Sequence, residues 1–387
     1  MTVAAERQTS GRLLAGVGRP PTLEAHLRTY GRLSLPDGFV ELVERAGLRG
    51  RGGAAFPTAS KLAVVAAARG HKVVVANGAE GEPASKKDRS LLRVAPHLVL
   101  DGIELAAETV GARDAVVGVS RAAPELQHAV AERRGRVRIE VQTVPETFVS
   151  GEETALLNAL GGGPAKPTLK PPYPFERGLD GRPTLVQNVE TLAHLALIAR
   201  YGADWFAGGT CLLTLSGAVR RAGVHEVPLG TSLATAIASC GGTSAEVSAY
   251  LVGGYFGTWV DAADAAKVRL TPERLGAGAI VALPASACAV AEVARVTRYL
   301  AAESAGQCGP CVHGLAALAD ALEPSRGDRR RDVLRFAQLV TGRGACRHPD
   351  GAAHFVESAM RVFEHDFARH AHNRGCGRAD LKVLPAS

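Results

Sequence analysis

Aromatic residues make up only 5% of this 387-residue chain, and its 45 Lys and Arg are scattered rather than run together. A nucleic-acid groove needs basic runs interleaved with stacking residues, so no nucleic acid is expected as a partner. Long hydrophobic runs are also missing. The best stretch, Ile280 to Ala294, is broken by Pro284, Ser286 and Glu292 and falls short of the roughly 18 apolar residues a span requires, so no direct membrane span is expected. Near the start only Leu13 to Val17 is apolar, too short for the core of a secretory leader, and the expectation is a cytoplasmic protein. Seven cysteines, an odd number over a long chain, do not form an extracellular disulfide framework; metal binding or redox chemistry becomes the question. What the chain has in quantity is glycine, 44 residues, several clustered in loops that could approach a ligand closely. Its net charge of +7 is a mild excess that fits a solvated basic face, an anionic cofactor or an acidic protein partner.

Periodicity divides the chain into three regions. The first, 1–205, alternates helices and strands: a helix over Pro36 to Ala46, one from Pro57 to about Ala68, a strand at His71 to Ala76, helices near Lys86 to Val94 and His97 to Val110, then strands at Ala115 to Ser120 and Arg136 to Val141 around a helix at Pro124 to Arg133. Such alternation argues a mainly parallel sheet covered by helices. A proline- and glycine-rich stretch, Gly161 to Pro183, leads to a closing helix at Val189 to Tyr201. The second region, 206–284, reads as four short strands around one helix, Ser232 to Ser239, and the third, 285–387, as about four helices.

Three loops of the first region could carry chemistry. In Gly50-Arg51-Gly52-Gly53-Ala54-Ala55-Phe56 the residues Gly50, Gly52 and Ala55 match G-x-G-x-x-A, yet a predicted helix precedes them where a dinucleotide fingerprint needs a strand. Bare backbone N–H groups, Arg51 and the helix start beyond favour an anion; a plain turn is the other reading. The loop Asn77 to Pro83 places Glu80 and Glu82 at a strand's C-terminal end, where open α/β sheets bind ligands, although acids also favour helix starts. Gly151-Glu152-Glu153 opens another predicted helix, as a cap or as a site.

The cysteines concentrate interest near the end. Cys308-Gly-Pro-Cys311 is C-x-x-C, with Cys346 and Cys376 downstream. A thioredoxin-type pair would follow a strand, but Val290 to Ala302 reads as a helix, which favours a metal site: zinc with His313 or His348 as fourth ligand, or an iron–sulfur cluster. Cys211, Cys240 and Cys288 lie in apolar surroundings as candidate inert thiols, and His365, His370 and His372 lack metal-binding helical spacing and read as surface residues.

Taken together, these segments resemble the NADH-binding, flavin-carrying subunit of respiratory complex I and its hydrogenase and formate dehydrogenase diaphorase relatives. The resemblance rests on Gly47 to Thr58 with Lys61, Asn77 to Arg89, Ser150 to Leu157, Leu169 to Tyr173, Asn188 to Thr191, Leu215 to Val219 and Glu303 to Cys311. It implies an α/β fold in which a Rossmann-like FMN domain is followed by a ubiquitin-like β-grasp (soluble-ligand-binding) domain and a C-terminal helical bundle. It further implies that Gly50, Arg51, Gly52, Gly53 and Lys61 border FMN, that Asn77, Glu80, Gly151, Glu152 and Asn188 contact its ribityl, phosphate or ring, and that Phe56, Glu82, Glu153, Lys170 and Tyr173 face NADH. Carboxylates there would repel the 2′-phosphate of NADPH.

Several positions depart from the family pattern. Ala79 stands where the family has aspartate, Leu62 and Val64 where it has aromatics, and Ala305 where the motif C-x-x-C-x-x-C has its first cysteine. Cys308, Cys311 and Cys346 match the remaining ligands, enough for a 3Fe–4S cluster or a 4Fe–4S cluster whose fourth iron takes water, His313, His348 or Cys376. The implied activity is NADH oxidation by FMN, with electrons leaving through the iron–sulfur cluster to an electron-transfer protein partner, ferredoxin-like or complex-I-like. A non-enzymatic electron-transfer or assembly subunit with degenerate cofactor sites and a structural zinc is the other reading.

Overall fold

In the computed structural model, residues 12–323, 329–372 and 375–385 are described. Strands β1 (Val73–Gly78), β2 (Asp114–Val119), β3 (Arg138–Thr143) and β4 (Thr184–Asn188) form a sheet of order β3-β2-β1-β4, parallel throughout. The valine run of β1 is buried on both faces, as a covered parallel strand requires. Val74 and Ala76 point into the large core shared with helices Pro96–Val110 and Val189–Phe206, while Val73 and Val75 pack with Leu156, Leu157 and Val186 on the other face. Strand β4 has no counterpart in the sequence pattern: five residues wedged between a proline-rich stretch and a helix are too few to show one. The helix after it is capped by Asn188, whose Oδ1 accepts the Glu190 N–H at 3.0 Å, and it breaks at Gly202 (φ 84°).

A second sheet follows. Strands β5 (Thr210–Gly217), β6 (Gly223–Pro228), β7 (Val247–Val252), β8 (Thr258–Asp261) and β9 (Ala279–Pro284) take the order β6-β5-β9-β7-β8, with β5 and β9 parallel and the other pairs antiparallel. The four-residue β8 is likewise absent from the pattern of the sequence. Helix Leu233–Ser239 starts at Ser232, whose hydroxyl accepts the Thr235 N–H.

Among the described residues the last region has five helices rather than four: Ala289–Ala302, Leu315–Ala321, Arg330–Val340, His348–Val362 and Glu364–Ala371. They share one core with the second sheet, in which Leu251, Trp259 and Leu283 meet Val293, Leu318 and Phe355. The Trp259 N–H donates to Ser358 Oγ at 3.2 Å, fixing the seam. No helix among the described residues is long and apolar enough to cross a membrane.

Candidate functional site

Strands β2 and β3 follow β1 to one side of the first sheet and β4 lies on the other, so the chain changes winding direction between β1 and β4. A crevice outside the carboxyl ends of two such strands is where open α/β sheets receive ligands. Asn77, next to last in β1, and Asn188, last in β4, are register partners. The Asn77 Nδ2 donates to Gly151 O at 2.9 Å, and the Asn188 Nδ2 donates to Asp88 Oδ2 at 2.7 Å and Asn77 O at 3.3 Å. Over them folds the glycine loop, closed by Gly50 N–H to Phe56 O (2.9 Å) and Thr58 N–H to Leu48 O (3.0 Å). A Cβ at Gly52 would lie 3.3 Å from the Asn188 Cβ, and one at Gly151 would lie 3.0 Å from Ala79 O. Gly53 has φ 101°, a conformation that suits glycine.

Arg51 turns inward rather than toward the crevice. Its N–H donates to Thr191 Oγ1 (2.8 Å), its Nη2 donates to Thr210 O (3.2 Å), and its Nε is 3.8 Å from Glu190 Oε1. Glu190 is also 2.9 Å from the buried Lys87 Nζ, which is 2.7 Å from Asp88. Burial works against charge on Glu190, but Lys87, a hydrogen bond with His194 and Arg51 hold it down at about 2. Lys87, Asp88, Glu190 and Thr191 thus form a polar foundation beneath the loop that sequence reasoning missed. The only signal was their position beside Asn188 and the Asn77 loop. Buried charges survive only when paired in this way.

The acids of the other two loops are engaged as well. Glu80 accepts Ser85 Oγ–H (2.8 Å) and the Asp88 N–H (3.1 Å) at the start of helix Lys87–Val94, and Glu152 accepts the N–H groups of Thr154 and Ala155 as the cap of helix Glu153–Leu160. Capping explains both carboxylates and leaves the backbone of their loops toward the crevice. Glu153 is 2.6 Å from Lys61 Nζ, and Lys170 Nζ is 3.3 Å from Glu152 and 3.4 Å from Glu153. Burial raises the Glu153 carboxyl, yet Lys61 and Lys170 together hold it below the usual range. Beyond this charged rim two aromatics stand in solvent: Phe56, 54% exposed, and Tyr173, 45% exposed and stacked on Phe175.

Glu82 does something different. Only 9% exposed, it accepts the Ala84 N–H (3.1 Å) and, from the second-sheet region, the Tyr255 N–H (2.7 Å), so it ties the β1 loop to that region. Its carboxylate is therefore spoken for, and repulsion of a 2′-phosphate is not its evident use. A cleft of about 580 Å³ opens beside it, lined among others by Glu80, Phe148, Arg295, Tyr299 and Glu303. Burial lifts the Glu82 carboxyl from 4.5 to about 7, against the two N–H donors. Between these pH values the folded chain keeps a proton the unfolded chain has released, so stability falls as pH rises through the window, by about 3 kcal/mol in all. We expect Glu82→Gln to remove that slope from a plot of Tm against pH. Parallel curves for the two proteins would show that Glu82 does not titrate there.

The cysteines sort into two groups. Cys308, Cys311 and Cys346 lie near one another and feel each other's charge. Burial raises the Cys308 thiol, but donation from the Ala345 and Cys311 N–H groups outweighs it and leaves the thiol below its usual range. Burial and Cys308 push Cys311 up to about 12, while the Gly306 N–H donates to its sulfur. Backbone N–H groups converging on sulfur, from a turn around Pro310, make a fitting bed for an iron–sulfur cluster. The buried Ala305 stands beside it. His313 is exposed, and His348 donates through Nε2 to Leu300 O (2.7 Å), with its buried Nδ1 lacking a partner. Cys376 does not join this group. It lies with the buried Cys288 and the half-buried His370 instead, which removes Cys376 from the alternatives for a fourth cluster ligand and takes His370 off the open surface. Cys288 precedes His370 by 82 residues, a separation across which no local spacing pairs them.

The two sites adjoin. The Phe148 ring packs edge-on against His348, centroids 5.4 Å apart, and the charge of Glu152 reaches Cys346.

Three family models match separate stretches of the chain. Residues 43–197 match the Nuo51 FMN-binding domain, 212–252 the SLBB domain, and 291–370 the NADH-ubiquinone oxidoreductase-F iron-sulfur binding region. The chain is 32% identical to the second F subunit of the NADH-quinone oxidoreductase of Rhizobium meliloti (strain 1021), over 88% of this chain and 90% of that one. It is 33% identical to the F subunit of the NADH-quinone oxidoreductase of Mycobacterium tuberculosis (strain ATCC 25618 / H37Rv), over 88% and 86%. Among solved structures, an NAD+-reducing [NiFe]-hydrogenase in the H2-reduced state superposes with a TM-score of 0.78 at 30% identity, covering 87% of this chain and 63% of that one. The chain thus spans less than two thirds of the hydrogenase chain.

Proposed function

We infer the activity of this chain from the family to which it belongs, that of the F subunits of NADH-quinone oxidoreductases: it oxidises NADH at FMN and passes the electrons through an iron–sulfur cluster to a protein acceptor. The observation that carries this reading is the junction just described, where the turn Phe148 to Glu152 borders the β1–β4 crevice on one side and His348 and Cys346 on the other. Electrons gathered in the crevice then have a short way to the thiols. Bound flavin supplies the step between two-electron nicotinamide chemistry and one-electron cluster chemistry.

The chain's own residues bind and orient. Gly50, Gly52, Gly53 and Gly151 let backbone approach the flavin, Asn77 and Asn188 present amides at the strand ends, and Glu80, Glu152 and Arg51 hold the surrounding loops in place. Beneath the glycine loop the Arg51 guanidinium is tied to Thr210 O and paired with Glu190, which fixes the loop from below. Lys61, Glu153 and Lys170 form the charged rim, and Phe56 and Tyr173 offer faces for the nicotinamide nucleotide; Glu82 fixes the wall of the cleft. Positioning of this kind is the protein's share of hydride transfer. Cys308, Cys311 and Cys346 hold the cluster.

We take the domains to be 1–205, 206–284 and 285–387, the acceptor to be a ferredoxin-like protein or a neighbouring subunit of a complex-I-like assembly, and the location to be the cytoplasm, whose reducing poise suits cluster thiolates. The test is anaerobic. Purified protein should carry stoichiometric FMN whose absorbance bleaches on addition of NADH and returns with a one-electron acceptor. Colourless protein, or flavin indifferent to NADH, would favour the non-enzymatic alternative.

A further inference from the structure

We propose that Cys288, His370 and Cys376 bind a zinc ion, separate from the cluster ligands, that clamps the C-terminal segment onto the helical region. Their ligand atoms all lie within 4.8 Å of one another, and Cys288 Sγ is 3.4 Å from His370 Nε2. Bonds of about 2.3 Å to sulfur and 2.0–2.1 Å to nitrogen, at tetrahedral angles, set a sulfur–nitrogen separation of roughly 3.5 Å. The observed spacing meets that value without movement. Two thiols and an imidazole select zinc over the oxygen-seeking cations, and binding releases the thiol protons to solvent with no change of oxidation state. Three protein ligands leave the fourth position to water.

The three ligands come from three segments that the clamp would join. Cys288 is the N-cap of helix Ala289–Ala302, where the Ala291 N–H donates to its sulfur at 3.4 Å. His370 lies in the final helix, Glu364–Ala371. Cys376 is the second residue of the last described segment, which runs back along the first helix of this region: the Cys288 N–H donates to Ala379 O (2.8 Å), the Ala379 N–H to Ser286 O (3.0 Å), and the N–H groups of Val383 and Leu384 to Glu292. Leu384 is fully buried at its end. Cys288 is buried while His370 and Cys376 are half-buried, so an ion has a way in.

This inference does not depend on the proposed activity, and metal analysis separates the two. The full chain, purified anaerobically with its cofactors, should contain one zinc in addition to iron. Cys376→Ser and His370→Ala should each lose most of the zinc and keep iron and flavin, whose retention reports an intact fold. Cys308→Ser should lose iron and keep zinc. Cobalt added to the zinc-free protein should give a thiolate charge-transfer band that Cys376→Ser lacks. Protein without zinc, zinc that leaves with Cys308 instead of Cys376, or an intact mass showing a Cys288–Cys376 disulfide in the anaerobic preparation would overturn the proposal.

Discussion

Cys308→Ser and Cys346→Ser are each expected to strip most of the iron and sulfide from anaerobically purified protein, leaving flavin in place. Three thiolates are the fewest that hold a cubane-type cluster, so the loss of one leaves two, too few to retain it. With Cys376 held beside Cys288 and His370, a fourth position would be left to solvent, His313 or His348. Ala305→Cys should therefore make the cluster more resistant to oxygen, read as slower bleaching in air. Iron and sulfide near cluster stoichiometry in the parent, with losses confined to these cysteine variants, is the expected pattern. Zinc bound through Cys308 with no iron would remove the electron route altogether.

Gly52→Val is expected to abolish flavin binding while leaving the fold intact. A Cβ at this position already comes within 3.3 Å of Asn188, and Asn188 cannot retreat, since its side chain is bonded to Asp88, to Asn77 O and to the Glu190 N–H. The added methyl groups must go into the crevice or lift the loop. Overpacking of this order costs about 1–3 kcal/mol of folding stability, and methyl groups that enter the crevice take up the space the flavin needs. The readout is the flavin-to-protein ratio, with Gly52→Ala intermediate and retained iron with a cooperative melt as the control for folding. A variant as yellow as its parent would reduce the loop to a turn.

The parts of this architecture that are legible in the sequence are those whose pattern is local. The buried run of β1, the glycine stops and the three-region organisation follow from periodicity, and the crevice loops stand out because glycines and acids sit at strand ends. Strands β4 and β8 are too short to display alternation. The pairing of Lys87 with Glu190, 2.9 Å apart yet 103 residues apart in the chain, exists only in the fold, as does the company that Cys288 keeps. Capping is one of the two roles the sequence allows Glu80 and Glu152, and it is what their carboxylates do, although their loops still border the crevice.

Asn77 and Asn188 face each other because two strands are paired in register, so their spacing is that of neighbouring strands, about 4.8 Å, whatever the chain does between them. Length changes should therefore be distributed very unevenly over this protein. Residues added to the proline- and glycine-rich stretch 161–183 would lengthen a connection and leave the asparagines opposed. A single residue inserted within Thr184–Asn188 would shift the register, turn Val186 from its core to the opposite face and withdraw Asn188 from beneath Gly52. Drift in loop length and rigidity of ligand geometry can thus coexist in one chain.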